Sequence, residues 1–300
     1  MARPAPPKEL QAYLDDRTAA INHALDHFLP PARTKPATIH QAMRYSLFAG
    51  GKRIRPALCL AAAEACGGSQ DTAMPLACAI ECIHTYSLIH DDLPAMDDDD
   101  YRRGKLTNHK VFGEGIAILA GDALLTEAFD IAAQSQGSPG YSQQTMLREL
   151  TKAAGSSQLI AGQVADLEGE GKSVSARQLK YIHERKTSAL LCCAVRLGGM
   201  SADCTAGQLA ALTSFGYNVG LAFQVIDDIL DLTQTSARLG KTAGKDRAAK
   251  KATYPAIVGL DHSRRIARRL TNRAYEALVG FKGKAAALEA LARYLLERDR

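Results

Sequence analysis

The chain has 300 residues, of which 46% are hydrophobic and 23% are charged, and it carries a formal net charge of +5 at pH 7. This is ordinary globular composition, with enough chain to bury a large core as one domain or two. The positive charge is mild and mostly dispersed, which gives little support to nucleic acid binding. No stretch of about 18 uninterrupted apolar residues indicates a membrane span.

The N-terminal sequence MARPAPPKEL lacks the apolar segment of a secretory signal, and we therefore expect a cytoplasmic protein. The seven cysteines are an odd number, lie in apolar surroundings and form no CxxC pair. Neither a disulfide framework nor a zinc site is favoured, and we interpret the cysteines as small buried hydrophobic residues.

Apolar residues three and four positions apart recur in almost every segment between Gly or Pro breaks, which predicts helices throughout. Alternating runs of β-branched residues are nearly absent and no hairpin dipeptide separates two such runs, so we expect an all-α protein. The breaks at 67–68, 137–140, 198–199 and 233–244 are too short to link independent domains, and we predict one helical domain over residues 1–300. The predicted helices cover residues 8–28, 37–49, 55–66, 72–92, 115–135, 141–167, 175–197, 206–231, 247–258, 261–280 and 284–298.

Two acidic clusters close long apolar helices, in the sequences LIHDDLPAMD (88–97) and VIDDILD (225–231). Carboxylates at the C-terminal end of a helix face the negative end of its dipole, so a cation should offset their repulsion. Pro94 distorts the chain after the first pair and gives Asp97 freedom to swing back toward Asp91. A ligand set made only of carboxylates selects a hard cation such as Mg²⁺. The candidate metal ligands are Asp91, Asp92, Asp97, Asp227, Asp228 and Asp231, while residues 98–100 are interpreted as a solvated loop.

Basic stretches accompany the acidic clusters, as expected if the bound metal ion also holds a phosphate group. They are GGKRIRP (50–56), Arg102-Arg103, Lys186-Thr187 and LGKTAGKD (239–246). None is a Walker A loop, because the glycine that should stand five positions before each Gly-Lys pair is replaced by Ser46, Thr235 or Leu239.

Together these stretches resemble the trans-isoprenyl diphosphate synthase family, and within it the bacterial farnesyl diphosphate synthases (geranyltranstransferases). The resemblance runs from about residue 40 to 260 and includes HTYSLIHDDLPAMDDDDYRRGKLTNH (84–109) and FQVIDDILD (223–231). It implies an all-α bundle around a deep central cavity, a homodimer, and a Mg²⁺-dependent transferase. The implied reaction joins isopentenyl diphosphate to dimethylallyl and geranyl diphosphate and yields farnesyl diphosphate.

The resemblance also implies roles for individual positions. Three Mg²⁺ ions bound with the substrate diphosphate would be held by Asp91 and Asp97 with support from Asp92, and by Asp227 with Asp228 and Asp231 acting directly or through water. The allylic diphosphate would be contacted by Arg102, Lys186 and Lys241. The diphosphate of isopentenyl diphosphate would be held by Lys52, Arg55, His84 and Arg103. The reacting carbons would be bordered by Thr187 and Gln224, with Phe223 either facing the carbocation or packed in the core.

His84 lies seven residues before Asp91 and so shares nearly the same helix face, although spacing alone fits a core histidine equally well. Product length is expected to be limited by Tyr86 and the adjacent Ser87, because a large aromatic residue five positions before the first aspartate resembles the synthases that stop at fifteen carbons. Periodicity alone would place Ser87 closer to Asp91 than Tyr86 is. A geranylgeranyl diphosphate synthase of the same family is the alternative.

Three further interpretations stay open. A class I terpene cyclase would share the first acidic motif but not DDILD (227–231). A non-catalytic subunit of a heteromeric synthase would have lost one acidic motif, and both are present. A basic surface module could be drawn from RRIARRL (264–270), but the stripe formed by Ile266, Leu270, Ala274 and Leu278 predicts a docked amphipathic helix with a solvated basic face.

Overall fold

The structure is a computed structural model that describes residues 8–233 and 252–296, and nearly all of these lie in helices. The all-α fold class is thereby confirmed. The single domain over the whole chain stays a prediction. In chain order the elements are α1 (Lys8–Phe28), α2 (Ala37–Leu47), α3 (Ile54–Ala65), α4 (Gln70–Asp91), β1 (Tyr101–Arg102), β2 (Lys105–Leu106), α5 (Asn108–Phe112), α6 (Glu114–Ala132), α7 (Gln143–Ala154), α8 (Leu159–Gly169), α9 (Ala176–His183), a π-helical segment (Glu184–Ser188), α10 (Ala189–Ser201), α11 (Ala206–Thr233), α12 (Tyr254–Val258), α13 (Leu260–Leu278), a 3₁₀ turn (Val279–Phe281) and α14 (Ala286–Leu296).

Most predicted boundaries lie within a few residues of those observed, but two predicted helices are divided. The segment 141–167 breaks into α7 and α8 around Gly155, whose backbone is extended. The segment 175–197 is interrupted by the π-helical segment and then continues to Ser201. Of the predicted helix at 247–258, the structure describes α12, and residues 247–251 lie outside the described residues.

A short antiparallel hairpin pairs Tyr101 with Leu106 and Arg102 with Lys105, and the sequence did not predict it. Its two-residue turn consists of Arg103 and Gly104, both with positive φ (54° and 77°). This pattern matches the type I′ turn that suits the twist of a hairpin. Arginine is an unusual first residue for such a turn and the strands are only two residues long, so no sequence signal was available.

Helices α3 and α10 occupy the middle of the fold, because each contributes side chains to two apolar clusters. One cluster unites them with α2, α4, α6 and α7, and the other with α11, α13 and α14. The two helices approach closely at Gly198, where an added Cβ would lie 2.0 Å from the carbonyl oxygen of Cys59. The cysteines are all free, and five of the seven are buried, as expected of small hydrophobic residues.

Helix α13 docks as an amphipathic helix, as predicted. It buries Ala267, Leu270, Ala274 and Leu278, while Ile266 is only half-buried. Ser263 is also buried, so the buried stripe passes through Ser263 and Ala267 in place of Ile266. The arginines of this helix are exposed, in agreement with a solvated basic face.

The long helices α4 and α11 each satisfy length and mean hydropathy criteria for a membrane span. Their most apolar windows are 72% and 56% buried inside the fold, however. Core helices of soluble proteins share these properties, so the two helices are weak evidence for a membrane span. Both helices end in the acidic clusters, which places those clusters at the termini of core elements.

We expect Gly198→Ala to lower the melting temperature by several degrees, because the new methyl group has no space against α3 and overpacking costs about 1–3 kcal/mol. The matched control is Gly207→Ala in the first turn of α11, where the nearest atom to an added Cβ is 3.9 Å away. That variant should melt at or slightly above the temperature of the unmodified protein. Thermal unfolding followed by circular dichroism measures both, and equal melting temperatures for the two variants would contradict the close approach of α3 and α10.

Candidate active site

The first acidic cluster lies where α4 ends. The helix stops at Asp91, and after Pro94 the backbone N–H of Asp97 donates to the Asp91 carbonyl at 2.8 Å. The chain therefore turns back and brings Asp97 beside the helix end, as the position of Pro94 predicts. Of residues 98–100, two are exposed and one is half-buried, which agrees with a largely solvated loop.

Lys186 lies among the acidic side chains of α8 and the first cluster. Its Nζ donates to Asp166 Oδ2 at 2.7 Å. Burial by itself would lower the pKa of Lys186, but the carboxylates of Asp91, Asp166 and Asp97 outweigh burial and raise the pKa. Lys186 therefore stays charged at neutral pH and supplies a cation to carboxylates at a helix C-terminus.

Sequence reasoning missed two residues of this cluster, Gln163 and Asp166. Gln163 Nε2 donates to Asp91 Oδ1 at 2.8 Å, and Asp166 holds Lys186. They lie three positions apart on one face of α8, in the otherwise apolar sequence LIAGQVAD (159–166). Two polar residues on an otherwise apolar helix were the sequence feature that could have identified them. Helix α8 can pack this closely because residue 162 is glycine. A Cβ added there would lie only 2.2 Å from the backbone nitrogen of Lys186.

Asp92 is buried and forms an ion pair with Arg102. The Arg102 Nε lies 2.7 Å and 2.9 Å from the two carboxylate oxygens, and Nη2 lies 2.5 Å from Oδ1. Burial raises the pKa of Asp92, and the neighbouring guanidinium offsets part of that effect. The structure therefore places Arg102 beside the first acidic cluster, where it neutralises one aspartate.

Arg55 and His84 form a half-buried basic pair. Arg55 Nη1 lies 3.1 Å from His84 Nε2. Burial, with Arg55 as the nearest cation, lowers the pKa of His84 well below its usual range, so the imidazole is neutral and accepts this hydrogen bond. Burial also lowers the pKa of Arg55 to about 10, which leaves it charged at neutral pH. Its buried Nε has no hydrogen-bond partner among the described residues, and such a donor is suited to an anion.

The other basic residues of the GGKRIRP stretch differ in their surroundings. Arg53 is buried and donates to Glu81 at 2.8 Å and to the Leu47 carbonyl at 2.6 Å, so it is part of the core. Lys52 is exposed, with its Nζ 4.5 Å from the ring centroid of Tyr294 on α14. Arg103 of the hairpin turn donates to the Gly50 carbonyl, which brings it to the same loop.

The second acidic cluster lies on the last turns of α11. Asp228 and Asp231 are buried, and Asp227 is half-buried. Asp228 Oδ2 accepts the backbone N–H of Tyr254 at 2.9 Å, and its Oδ1 accepts Gln224 Nε2 at 3.3 Å. The cluster is therefore tied to the start of α12 and to a predicted catalytic residue one turn earlier.

The π-helical segment joins the two acidic clusters. Its wider turn places Lys186 against Asp166 on α8, while the adjacent Thr187 donates its hydroxyl to Gln224 Oε1 on α11 at 3.1 Å. π-helical turns of this kind frequently occur at functional sites. The sequence predicted a continuous helix over residues 175–197, and the π-helical segment interrupts it at these two residues.

The remaining predicted site residues are Tyr86, Ser87, Phe223 and Lys241. Tyr86 is buried, and its ring packs edge-on against His90 at 5.8 Å. The Ser87 hydroxyl donates to the carbonyl of His84, and Phe223 is half-buried. Lys241 lies outside the described residues.

We expect Arg55→Met to weaken binding of inorganic pyrophosphate in the presence of Mg²⁺ by about 10- to 100-fold, since hydrogen bonds to charged groups are worth about 1.5–3 kcal/mol. Isothermal titration calorimetry measures the affinity, and circular dichroism checks that the variant is folded. Arg148→Met, at an exposed position on α7, is the matched control and should bind like the unmodified protein. Equal affinity in the two variants would remove Arg55 from the anion site.

Comparison with known proteins agrees with this geometry. The family model of polyprenyl synthetases matches residues 36–291. The heterodimeric geranylgeranyl pyrophosphate synthase large subunit 1 of Arabidopsis thaliana is 50% identical and covers 97% of this chain and 80% of the relative. The geranylgeranyl pyrophosphate synthase of Catharanthus roseus is also 50% identical, with 97% and 82% covered. The crystal structure of a putative farnesyl-diphosphate synthase from Marinomonas sp. MED121 has a TM-score of 0.81 at 38% identity and covers 96% of this chain and 98% of that chain. The chain therefore belongs to the polyprenyl synthetase family of trans-isoprenyl diphosphate synthases, and it is a prenyltransferase.

Proposed function

We propose that the protein joins isopentenyl diphosphate to dimethylallyl and then geranyl diphosphate and releases farnesyl diphosphate. The main observation in support of this reaction is the π-helical segment. It places Lys186 beside the first acidic cluster and Thr187 beside Gln224, one turn before the second cluster. An allylic diphosphate between the two clusters would meet cations at its phosphate end and weak dipoles at its carbon end.

The acidic residues suit Mg²⁺ that is bound together with substrate. Within residues 8–233 and 252–296, no three Asp, Glu, His or Cys side chains lie close enough together to enclose an ion. This fits Mg²⁺, which proteins usually bind through one or two carboxylates and the phosphate oxygens of the substrate. We assign this role to Asp91, Asp97 and Asp227. When bound, Mg²⁺ neutralises charge that builds on the departing diphosphate.

The side chains of the protein contribute to the same step. As the allylic carbon–oxygen bond breaks, its electron pair passes to the diphosphate, and Lys186 and Arg102 stabilise the growing negative charge. Thr187 and Gln224 turn their oxygen dipoles toward the resulting carbocation. Thr187 is only 9% exposed, so its hydroxyl is largely shielded from water, as a carbocation site requires.

Carbon–carbon bond formation requires a second diphosphate site. We assign it to Arg55, Lys52 and Arg103, with the neutral His84 holding Arg55 in place. The double bond of isopentenyl diphosphate attacks the cation, and a proton is then lost from the product carbon chain. The low pKa of His84 makes it a weak base, which supports the released diphosphate as the proton acceptor.

Product length separates two candidates. A fifteen-carbon product is supported by Tyr86, a large aromatic side chain that is 4% exposed and whose hydroxyl has no hydrogen-bond partner among the described residues. A twenty-carbon product is supported by the relatives at 50% identity, which are named as geranylgeranyl pyrophosphate synthases. We favour farnesyl diphosphate because the argument from Tyr86 uses a side chain of this protein, whereas the argument for twenty carbons uses the names of its relatives.

Product analysis tests both parts of the proposal. Purified protein incubated with isopentenyl and dimethylallyl diphosphate should form farnesyl diphosphate as the main product, and chelation of Mg²⁺ should abolish the reaction. Tyr86→Ala should shift the main product to twenty carbons or more, because a smaller side chain leaves room for a longer chain. A twenty-carbon product from the unmodified protein would establish the geranylgeranyl alternative, and no condensation at all would favour a non-catalytic subunit.

The proposal also includes the surface through which two copies of the chain associate. Six of the eleven large hydrophobic side chains that are exposed among the described residues lie on α5, α6 and α8: Val111, Ile118, Leu119, Ile160, Val164 and Leu167. The last three, on α8, are spaced for one helix face. Both groups of side chains lie near the first acidic cluster, since His90 contacts the Ile118 carbonyl at 3.0 Å and Gln163 contacts Asp91, and we refer to them together as the apolar surface. We propose that a second copy of the chain covers it.

We expect Leu119→Lys, at a residue 54% exposed on this surface, to convert the dimer largely to monomer at micromolar concentration. Val279→Lys is the matched control, because Val279 is 76% exposed at the end of α13 and outside that surface. Sedimentation equilibrium measures the association. A monomeric unmodified protein, or equal association of the two variants, would contradict a homodimer through α6 and α8.

A further inference from the structure

A cavity of about 490 Å³ lies beside the π-helical segment, between α7, α10 and α11. Its volume is within the range of about 300–1,000 Å³ that small-molecule sites occupy. We call it the back cavity, and the side chains that line it include Lys152, Arg185, Ser188, Cys192, Arg196 and Tyr217. The residues assigned above to metal ions and to substrate do not line it, so it is separate from the site already described.

The two carboxylates that line the back cavity are already paired within the protein. Glu149 forms an ion pair with Arg196, whose Nε lies 2.5 Å from Oε1 and whose Nη2 lies 3.1 Å from Oε2. Glu184 accepts from Lys180 Nζ and from the hydroxyl of Tyr217. Each carboxylate is thereby matched by one cation.

Arg185 and Lys152 are the other two cations of the back cavity, and neither forms an ion pair among the described residues. Arg185 Nη1 donates to the neutral amide oxygen of Gln158 at 2.7 Å, and the Arg185 Cζ lies 5.1 Å from the ring centroid of Tyr181. The Nε of Arg185 is buried and has no hydrogen-bond partner among the described residues. A buried donor without a partner is uncommon, which makes Arg185 suited to bind an anion.

Two unpaired cations in one cavity suit a ligand with more than one negative charge. Arginine offers a planar fork of N–H donors to an oxyanion, and lysine acts as a point charge. Arg185 is held in place by Gln158 and Tyr181, whereas Lys152 is exposed and can adjust its position to the ligand. We therefore expect Arg185 to contribute more than Lys152 to the affinity.

We infer that the back cavity binds a small polyvalent oxyanion, a diphosphate or a polycarboxylate, through Arg185 and Lys152. This site is additional to the two diphosphate sites of the proposed reaction and does not depend on that reaction. Its location connects it with them, because Arg185 directly precedes Lys186 and Thr187 in the π-helical segment. An anion held by Arg185 therefore contacts the segment that carries two predicted catalytic residues.

Cys192 lines the back cavity and is half-buried, so its alkylation reports whether the cavity is occupied. Burial raises the pKa of Cys192 to about 11, which makes its reaction with N-ethylmaleimide slow enough to follow by peptide mass spectrometry. In Mg²⁺-free protein, saturating inorganic pyrophosphate should slow this alkylation at least about fivefold. Cys66, the other half-buried cysteine, lies at the end of α3 outside the cavity and should react at an unchanged rate. No slowing at Cys192, or equal slowing at Cys66, would overturn the inference.

Arg185→Gln should raise the pyrophosphate concentration that gives half-maximal protection of Cys192 at least about tenfold, because it removes the charged fork. Lys152→Gln should raise it about two- to fivefold, since an exposed cation contributes less. The matched control, Arg177→Gln, removes the same charge from an exposed position on α9 outside the cavity and should leave that concentration unchanged. Equal effects of the Arg185 and Arg177 substitutions would overturn the inference. Should Arg185→Gln fail to fold, Arg185→Lys, which keeps the charge and lacks the fork, replaces it with the same expected direction.

Three further comparisons locate the site and identify its ligand. Protection of Cys192 should persist in Arg55→Met, because Arg55 is assigned to a diphosphate site of the proposed reaction; loss of protection there would overturn the back cavity as the site. Citrate in place of pyrophosphate separates the two ligand classes, since the anion that protects at the lower concentration is the class that the cavity selects. Sodium chloride at equal ionic strength should not protect, and equal protection by chloride would overturn the inference. None of these measurements uses Mg²⁺ or a prenyl substrate, so an unprotected Cys192 would leave the proposed function standing, and a protein without prenyl product would leave the anion site to be decided by them.

Discussion

Carboxylates at the C-terminal ends of two helices repel each other and the helix dipoles, and the surrounding structure depends on how that repulsion is relieved. At the end of α4 it is relieved by Lys186 and Arg102, one from the π-helical segment and one from the hairpin. At the end of α11, the described partners of Asp228 are hydrogen-bond donors. The first cluster is thus balanced by two cations, and Asp228 in the second is tied by hydrogen bonds to Tyr254 and Gln224.

This difference explains why the π-helical segment has a central place in the fold. Lys186 and Thr187 are consecutive, yet they contact two different neighbouring helices. The wider turn at Glu184–Ser188 lets Lys186 reach α8 and Thr187 reach α11. The ion pair and the hydrogen bond formed there tie this segment to both neighbouring helices.

The residues used for chemistry lie next to residues that only support them. Arg53 and Arg55 are two positions apart, yet Arg53 is satisfied by Glu81 and a carbonyl group, while the Nε of Arg55 has no partner among the described residues. Asp91 and Asp92 are adjacent, yet Asp92 is fully engaged by Arg102. In the arginine pair, satisfied hydrogen bonds mark the supporting residue. In the aspartate pair both side chains are buried, and they differ in partner: Asp91 accepts from Gln163, and Asp92 pairs with Arg102.

The sequence by itself determined the all-α class, the two acidic clusters and the return of Asp97 after Pro94, because each follows from local periodicity or from the restricted backbone of proline. Only the tertiary structure decided that Gln163 and Asp166 belong to the first cluster, since α8 is brought there by its packing at Gly162. It also decided the partners of Asp228, because the Tyr254 N–H comes from a helix 26 residues further along the chain. Local sequence patterns carry no information on which distant donor meets a carboxylate, since that depends on how the helices pack.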